Sequence, residues 1–218
     1  MIEIVDLVKE YKTDSGTIRA LDGLSLRFGR GQRIGILGRN GSGKSTLIKI
    51  IGGVELPTSG KITRSMSASW PLAFRGGFHN DLSAYQNLRF LSRVYDRPYD
   101  ELCAYVEDFT ELGVRLKDPL FTYSSGMRAK ISFGVSLAIE FDCYLIDEVL
   151  AVGDQRFRRK CRIELFEKRR DRAMLIVSHQ PQTIQQSCEI GLLIKDGRCI
   201  DTFDIKADRK WQKYAMAD

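Results

Sequence analysis

The residues best suited to chemistry stand together in one short stretch with the spacing G-x-x-x-x-G-K-[ST], which is typical of loops that bind phosphates. Its members are Gly38, Arg39, Asn40, Gly41, Ser42, Gly43, Lys44, Ser45 and Thr46. The glycines allow successive backbone N–H groups to turn inward and form a concave site for an anion. Lys44 adds a full positive charge for the terminal phosphates, and Ser45 adds a hydroxyl for Mg²⁺.

This loop needs a strand before it and a helix after it if its N–H groups are to converge. The apolar run 34–37 precedes the loop and has the length of a buried strand, and residues 47–51 continue with helical apolar content. The helix start would add its partial positive charge to the site. A simple Gly-rich turn between core elements is the alternative, but Lys44-Ser45 and both flanks disfavour it. The stretch therefore predicts a nucleoside triphosphate site.

A second predicted strand ends in acidic residues. The apolar segment 143–146 runs into Asp147 and Glu148, and α/β folds place their chemistry at the carboxyl ends of such buried parallel strands. We expect Asp147 to hold Mg²⁺ through its hydration shell. Glu148 would orient or deprotonate the attacking water. The next apolar strand, residues 172–177, leads to His179, which is a catalytic candidate, although a lone histidine is also common as a structural hydrogen-bonding group.

Two further places allow a structural and a functional interpretation. Tyr11 ends a predicted strand, where its ring either stacks on a nucleotide base or merely packs. The run Ser124, Ser125 and Gly126 leads into an apolar helix over residues 131–139, and a helix start of this kind attracts phosphate. Helix capping by Ser124 or Ser125 explains the same residues.

Length and apolar content limit the classes of protein. The 218 residues suit one α/β domain. No apolar run approaches the roughly 18 residues of a membrane span, and the first residues lack a basic and apolar signal region. We therefore expect a chain that stays in the cytosol. The 5 cysteines are scattered and show no C-x-x-C pair, which favours packed free thiols over zinc or disulfides.

The net charge of +6 is concentrated between Arg156 and Arg172. Such a segment can contact nucleic acid or an anionic leaflet. Glu164 and Glu167 are interspersed, however, and no aromatic run suits base stacking. We therefore favour the solvated face of a helix.

The periodicity changes to a helical one from Asn80 to Leu116, which predicts a helical insertion in the α/β body, with Asp81 or Ser83 as a helix cap. Asp196-Gly197 is a hairpin signal between two predicted strands. The remainder, with Trp211 and Tyr214, predicts a terminal helix.

These stretches in this order resemble the ATP-binding subunits of ABC transporters. The signature of that family is similar to residues 123–127, and its D-loop is similar to residues 151–154, which end in Asp154. The resemblance covers nearly the whole chain. It implies an α/β P-loop NTPase fold of ABC type, with a RecA-like core, an antiparallel β subdomain and a helical subdomain at roughly 80–140. Residues 1–218 would form a single ABC ATPase domain.

Within the family, residues 69–74, 123–130 and 144–154 resemble the capsular polysaccharide exporters. Some O-antigen relatives carry a carbohydrate-binding domain after the ATPase, and at this chain length we expect none here, which favours the capsule type. The implied function is that of an ATP-hydrolysing motor that moves lipid-linked capsular polysaccharide across the inner membrane. An O-antigen or teichoic acid exporter ATPase is the alternative, and a soluble, non-transport ABC ATPase is a more remote one.

The resemblance also implies a mechanism in which two copies trap two ATP molecules and Mg²⁺ head to tail. Ser124, Ser125 and Gly126 would act in trans, Glu148 would polarise water, and His179 would contact the γ-phosphate. An integral-membrane permease dimer would dock near residues 70–81, and periplasmic and outer-membrane export proteins would take part indirectly. The chain would lie peripherally on the cytoplasmic face of the inner membrane, without a nucleic-acid partner.

The sequence departs from the family pattern at two places. Met127 replaces the common signature glutamine, and Ser125 replaces the first glycine, as in polysaccharide-export relatives. The glutamine that usually reaches Mg²⁺ between the two lobes is absent from residues 76–81, and His79 stands at that position. His79 contributes a hydrogen bond there, or the coupling runs differently; both possibilities stay open.

Overall fold

The computed structural model describes residues 1–72, 77–147, 154–178 and 181–207. The strands of this part of the chain are β1 (Ile2–Thr13), β2 (Gly16–Phe28), β3 (Arg33–Leu37), β4 (Ser59–Arg64), β5 (Ala68–Pro71), β6 (Cys143–Asp147), β7 (Ala173–Val177), β8 (Ile190–Lys195) and β9 (Arg198–Asp204). The helices are α1 (Lys44–Ile51), α2 (Ala84–Val94), α3 (Tyr99–Thr110), α4 (Ser125–Ile139), α5 (Gln155–Arg162) and α6 (Pro181–Ser187). Two 3₁₀ turns, Gly113–Lys117 and Leu120–Thr122, precede α4, and a π-helical turn, Ile163–Glu167, follows α5.

The strands form two sheets. One is antiparallel, in the order β2-β1-β4, and the other is six-stranded, in the order β5-β6-β7-β3-β8-β9. In the second sheet β5, β6, β7, β3 and β8 are parallel, and β9 pairs antiparallel with β8 through a hairpin. The central strands are apolar along their whole length because a parallel sheet is covered on both faces.

The chain divides into two compact units, of which the first is Met1–Pro71, Asp142–Glu148 and Arg169–Asp218. Its core is built by both sheets together with α1, the helix that follows the phosphate loop. Leu47, Ile48, Ile50 and Ile51 of α1 are completely buried. At the end of α1 the guanidinium of Arg64, on β4, donates hydrogen bonds of 3.0 Å to the Ile51 carbonyl and 2.7 Å to the Ile50 carbonyl. The antiparallel sheet thus caps the helix, whose last carbonyls have no intrahelical partner.

The second unit is Leu72–Phe141 with Val149–Lys168. Its described core is aromatic: Phe109 of α3 stacks on Phe133 of α4 at 6.0 Å between ring centroids, and Phe157 of α5 meets Phe109 edge-on at 5.3 Å. Ser83 caps α2 by a capping box with Gln86. The site residues of α4 and α5 are therefore carried on helices that share one packed core.

Most elements lie where the sequence predicts them. The strand before the loop, the helix after it, and the hairpin at Asp196-Gly197 are confirmed. Strand β5 was not predicted from the sequence, because Ser-Trp-Pro gives no alternating pattern. The predicted terminal helix with Trp211 and Tyr214 lies outside the described residues. All 5 cysteines are free, and four of them are buried.

Candidate nucleotide-binding site

The phosphate loop encloses a polar cavity of about 180 Å³. Its walls are Ala20, Asn40, Gly41, Gly43, Lys44, Ser45, Thr46 and Val177. Lys44 is the first residue of α1, so the cavity lies at the N-terminal end of this helix, where backbone N–H groups and the helix dipole favour an anion. The Oγ of Ser42 is buried and has no hydrogen-bond partner among the described residues, and a phosphate oxygen would satisfy it.

Two glycines are required by the shape of the loop. Gly43, the residue before α1, has φ 103°, which a side chain rarely tolerates, and a Cβ there would run into the carbonyl oxygen of Ala20. Gly38 has φ 146°, and a Cβ there would collide with the carbonyl oxygen of Ile194 and come within 2.7 Å of the Ser42 Oγ. A larger residue at either position would force the loop backbone to shift.

Lys44 spans the loop from within. Its Nζ donates hydrogen bonds of 2.8 Å to the carbonyl oxygens of Gly38 and Arg39, and the residue is only 8% exposed. The ammonium group is therefore held over the cavity by the loop's own backbone. A phosphate that enters the cavity would meet a positive charge that is already positioned there.

The turn of the β8–β9 hairpin is hydrogen-bonded to the phosphate loop. The Gly197 N–H donates to the Ser42 carbonyl at 3.2 Å, and the Gly197 carbonyl accepts from the Asp22 N–H at 2.9 Å. Arg198 holds the Asp22 carboxylate with both Nε, at 2.8 Å, and a terminal nitrogen, at 2.5 Å. The hydrogen bond from Arg198 lowers the pKa of Asp22 and outweighs burial, which opposes ionisation of this carboxyl group. This support joins strands that are far apart in the sequence, and no local sequence pattern predicts it.

The acidic strand ends beside the cavity. Asp147, the last residue of β6, stands in register with Val177 of β7, and Val177 lines the cavity. Strand β7 in turn pairs with β3, which leads into the loop. Since neighbouring strands lie about 4.8 Å apart, Asp147 is roughly 10 Å from β3 across the sheet. Glu148 and His179 lie outside the described residues.

Tyr11 lies next to the cavity but is not one of its wall residues. Its hydroxyl donates a 2.5 Å hydrogen bond to Glu55 and lies 3.5 Å from the Oγ1 of Thr46, which does line the cavity. The structure thus places the ring on the loop's side of β1. It also gives the hydroxyl a partner, Glu55, that sequence reasoning did not single out.

The signature residues lie at the start of α4, in the second unit. Ser124 caps the helix, because its Oγ accepts a 3.2 Å hydrogen bond from the Met127 N–H. Ser124 and Ser125 are exposed and Gly126 is half-buried. A hydroxyl that accepts one bond can still donate its own proton, so capping leaves Ser124 able to donate to a phosphate oxygen. The structural and the functional interpretations of this residue are therefore compatible.

Two residues next to Ser124 anchor the segment that leads into α4. Tyr123 is buried, and its hydroxyl donates a 2.6 Å hydrogen bond to the Arg115 carbonyl. Burial raises the pKa of Tyr123 to about 12, so this hydroxyl keeps its proton. Arg128 donates to the carbonyls of Tyr123 and Phe121 at 3.2 and 3.0 Å. Nothing in their sequence context distinguishes these anchoring roles.

Asp154 is the N-cap of α5, where its carboxylate accepts a 2.8 Å bond from the Phe157 N–H. That bond is the main cause that lowers the pKa of Asp154. The remaining D-loop residues, 151–153, lie outside the described part of the chain. A role for Asp154 between two copies stays a prediction.

His79 is held through its backbone. The Asn87 side chain accepts from the His79 N–H at 2.8 Å and donates to the His79 carbonyl at 3.1 Å. The His79 imidazole is 65% exposed and lies 3.9 Å from Asp81. The His79 backbone is thus fixed to α2, while its side chain faces solvent.

The sequence matches known proteins over most of its length. Residues 21–151 match the family described as ABC transporter. The ATP-binding protein BexA of Haemophilus influenzae is 50% identical over 197 residues, which cover 90% of this chain and 91% of that protein. The capsule polysaccharide export ATP-binding protein CtrD of Neisseria meningitidis serogroup B is 48% identical over 214 residues, 98% of each.

The fold has counterparts among solved structures. A dimeric structure of the ATP-binding cassette MJ0796 in a post-hydrolysis state with ADP and Pi superposes with a TM-score of 0.76 at 19% identity. The superposition covers 94% of this chain and 99% of that one. At this identity the likeness concerns the fold alone. The family match and the two relatives show that the chain belongs to the ABC transporter family, as an ATP-binding protein with the ABC-type α/β P-loop fold.

Proposed function

We propose that this chain is the ATP-hydrolysing subunit of an ABC exporter that moves lipid-linked capsular polysaccharide across the inner membrane. The observation that carries the proposal is the 48% identity to a capsule polysaccharide export ATP-binding protein over 98% of both chains. An O-antigen or teichoic acid exporter is the nearest alternative. The proposal also includes Mg²⁺ as cofactor.

The residues around the cavity fit Mg²⁺–ATP. The Ser42 hydroxyl, which the described part of the chain leaves without a partner, is suited to a phosphate oxygen. So are the Lys44 ammonium and the polar wall of Asn40, Ser45 and Thr46. Ser45 and Asp147 would hold Mg²⁺, which neutralises charge on the phosphates when bound. Lys44 would exchange the carbonyls of Gly38 and Arg39 for phosphate oxygens. Glu148 would orient the attacking water and His179 would contact the γ-phosphate, as the family resemblance implies.

A second copy completes the proposed site. Ser124 and Gly126 of the partner would contact the phosphate, and the exposed hydroxyl at the start of α4 supports this role. A permease dimer in the inner membrane would be the other partner, with the ATPase peripheral on its cytoplasmic side. Among the described residues, no helix is both long enough and apolar enough to cross a bilayer.

The experiment replaces the chromosomal Lys44 codon by alanine in the source organism. We expect the capsular glycan to disappear from the surface and to accumulate inside the cell. O-antigen and cell-wall teichoic acid are measured in the same strain, and loss of either with intact capsule would favour the corresponding alternative. Unchanged surface display of all three glycans would contradict an export function.

A further inference from the structure

A cluster of charged residues lies beside the nucleotide cavity, around the hydroxyl of Tyr11. The hydroxyl donates to Glu55 Oε2 at 2.5 Å, and the same carboxylate pairs with the ammonium of Lys49 at 3.2 Å. Lys9 lies 3.9 Å from the carboxylate and donates a 2.8 Å hydrogen bond to the Leu56 carbonyl. Three side chains from β1 and α1 thus converge on one glutamate in the segment that follows α1.

The ionisation of this pair fixes the direction of its hydrogen bond. Burial raises the pKa of Tyr11, and the bond to Glu55 raises it further, so the phenol keeps its proton. Burial opposes ionisation of Glu55, but the bonds from Tyr11 and Lys49 outweigh it and lower the pKa of the carboxyl group. The contact therefore joins a neutral donor to a charged acceptor, which is stronger than a neutral pair.

The orientation of the Tyr11 ring is consequently fixed at both ends. Its backbone belongs to β1, and its hydroxyl is bound to Glu55. The Lys9 ammonium lies 5.1 Å from the ring centroid, a cation–π distance, so one face of the ring already has a partner. Stacking of a planar ligand would use the opposite face. The hydroxyl lies 3.5 Å from Thr46, so the ring borders the cavity that would hold the phosphates.

We propose that Glu55 is a positioning residue that holds the Tyr11 ring for stacking on the base of the nucleotide. The hydroxyl proton is committed to Glu55 and is not available to the edge of the base. Recognition at Tyr11 is therefore by the face of the base, which every purine offers, and adenine and guanine should be distinguished weakly. This inference rests on the proposed nucleotide site.

The test compares two ligands that share a diphosphate but differ in the base. Calorimetry with Mg²⁺ measures the affinity of the full chain for ADP and for inorganic pyrophosphate. Glu55→Ala and Tyr11→Phe should each lower the affinity for ADP about five- to tenfold, which is a part of the range expected for a stacked base. The affinity for pyrophosphate should stay unchanged. Glu55→Gln should retain most of the ADP affinity, because its amide oxygen still accepts the hydroxyl. The double variant Tyr11→Phe with Glu55→Ala should bind ADP as tightly as either single variant.

Glu10→Gln is the matched control, because this carboxylate lies on the same strand and pairs with Arg19 instead. It should bind both ligands as the parent does. GDP should bind the parent chain within about tenfold of ADP, and Tyr11→Phe should not change that ratio.

The outcomes separate the possible failures. Unchanged ADP affinity in Glu55→Ala, with loss in Tyr11→Ala, would show that Glu55 does not position the ring. Parallel loss of pyrophosphate would show that Glu55 supports the phosphate loop instead. A strong ADP preference that disappears in Tyr11→Phe would show that the hydroxyl reads the base. A parent chain that binds neither ligand would overturn the proposed function itself.

Discussion

At the scale of single residues, Lys44 shows how the loop prepares for its ligand. In the structure its ammonium is bound by two carbonyls of the loop that it would serve, Gly38 and Arg39. A buried cation without such partners would be costly. The loop therefore keeps the charge in place before phosphate arrives, at the cost of two hydrogen bonds that phosphate must replace.

Lys44→Ala should weaken ADP binding by about 10- to 150-fold, which corresponds to the roughly 1.5–3 kcal/mol of hydrogen bonds to a charged group. The affinity for pyrophosphate should fall by the same factor, because the lost contact is to phosphate alone. Calorimetry measures both ligands. Lys61→Ala, an exposed lysine on β4, is the control and should bind normally. Unchanged pyrophosphate affinity in Lys44→Ala would contradict the assignment.

The sequence was informative at this scale where the chemistry needs particular residue types at fixed spacing. The phosphate loop and Asp147 belong to that class, and the structure brings both to one end of the parallel sheet. Glu55, Tyr123 and Asn87 do not belong to that class. Their partners are 44, 8 and 8 residues away respectively, and any polar surface residue would fit the same sequence pattern.

At the scale of elements, the acidic strand β6 is fixed at its first end by Asp142. This carboxylate accepts from the backbone and hydroxyl of Ser67 at 3.0 and 3.1 Å and pairs with Arg30 at 3.0 Å. Burial opposes its ionisation, but the Ser67 bonds and the arginine charges dominate and lower the pKa of Asp142. The strand that carries Asp147 is thus anchored by a residue that must be ionised.

Asp142→Asn should lower the free energy of unfolding at pH 7 by about 1–3 kcal/mol. A carboxyl group whose pKa is lower in the folded chain stabilises it above the unfolded pKa, near 3.9, and loses this effect as the pH falls further. The difference from the parent should therefore shrink below about pH 4. Urea denaturation at pH 7 and pH 3.5 measures the difference in free energy of unfolding between the variant and the parent. Asp171→Asn, a 74% exposed neighbour, should show little change at either pH.

Helix α2 holds the His79 segment through one side chain. Asn87 is 3% exposed and bonds both backbone groups of His79, with further bonds to the Leu82 and Ser83 carbonyls at 3.3 and 2.9 Å. Whatever displaces His79 must also move α2 or break these bonds. A coupling signal received there would thus reach a helix rather than a free loop.

Asn87→Ala should lower stability by about 1–3 kcal/mol, because buried backbone groups lose their partner. A fall of several degrees in Tm is expected for a chain of this size, and differential scanning calorimetry measures it. Asn80→Ala removes an exposed side chain in the same segment and should leave Tm within a degree or so of the parent. Equal effects of the two substitutions would show that the Asn87 contacts do not hold the segment.

At the scale of the whole molecule, the resemblance of the ordered motifs to one family predicted the family and the fold, because the order of phosphate loop, signature and acidic strand is specific. For the basic segment the sequence predicted a solvated helix face but not which side chains of that segment are buried. In the structure Phe157 and Cys161 face the core, and Arg158, Arg159 and Arg162 are exposed on the other side of α5. Within α5 this is the solvated helix face that the sequence predicts, whereas Glu164 and Arg169, farther along the basic segment, are buried.

Pairing of two chains is the expectation that belongs to this scale. Glu148→Gln should keep nucleotide binding and reduce turnover strongly, because the amide cannot accept a proton from water. ATP would then persist between two copies, and gel filtration with ATP and Mg²⁺ should show a dimer. Glu167→Gln, an exposed control, should hydrolyse ATP at the parent rate. A Glu148→Gln variant that remains monomeric and active would rule out both roles.

The contact of Arg64 with the end of α1 has a consequence for how the molecule opens. The guanidinium that bonds the final turn of the phosphate-loop helix belongs to a residue of β4, so separation of the two elements breaks both hydrogen bonds. Their amide protons should then exchange with deuterium in a single cooperative step. Nucleotide would slow exchange in β4 as well, although that strand contributes nothing to the cavity wall.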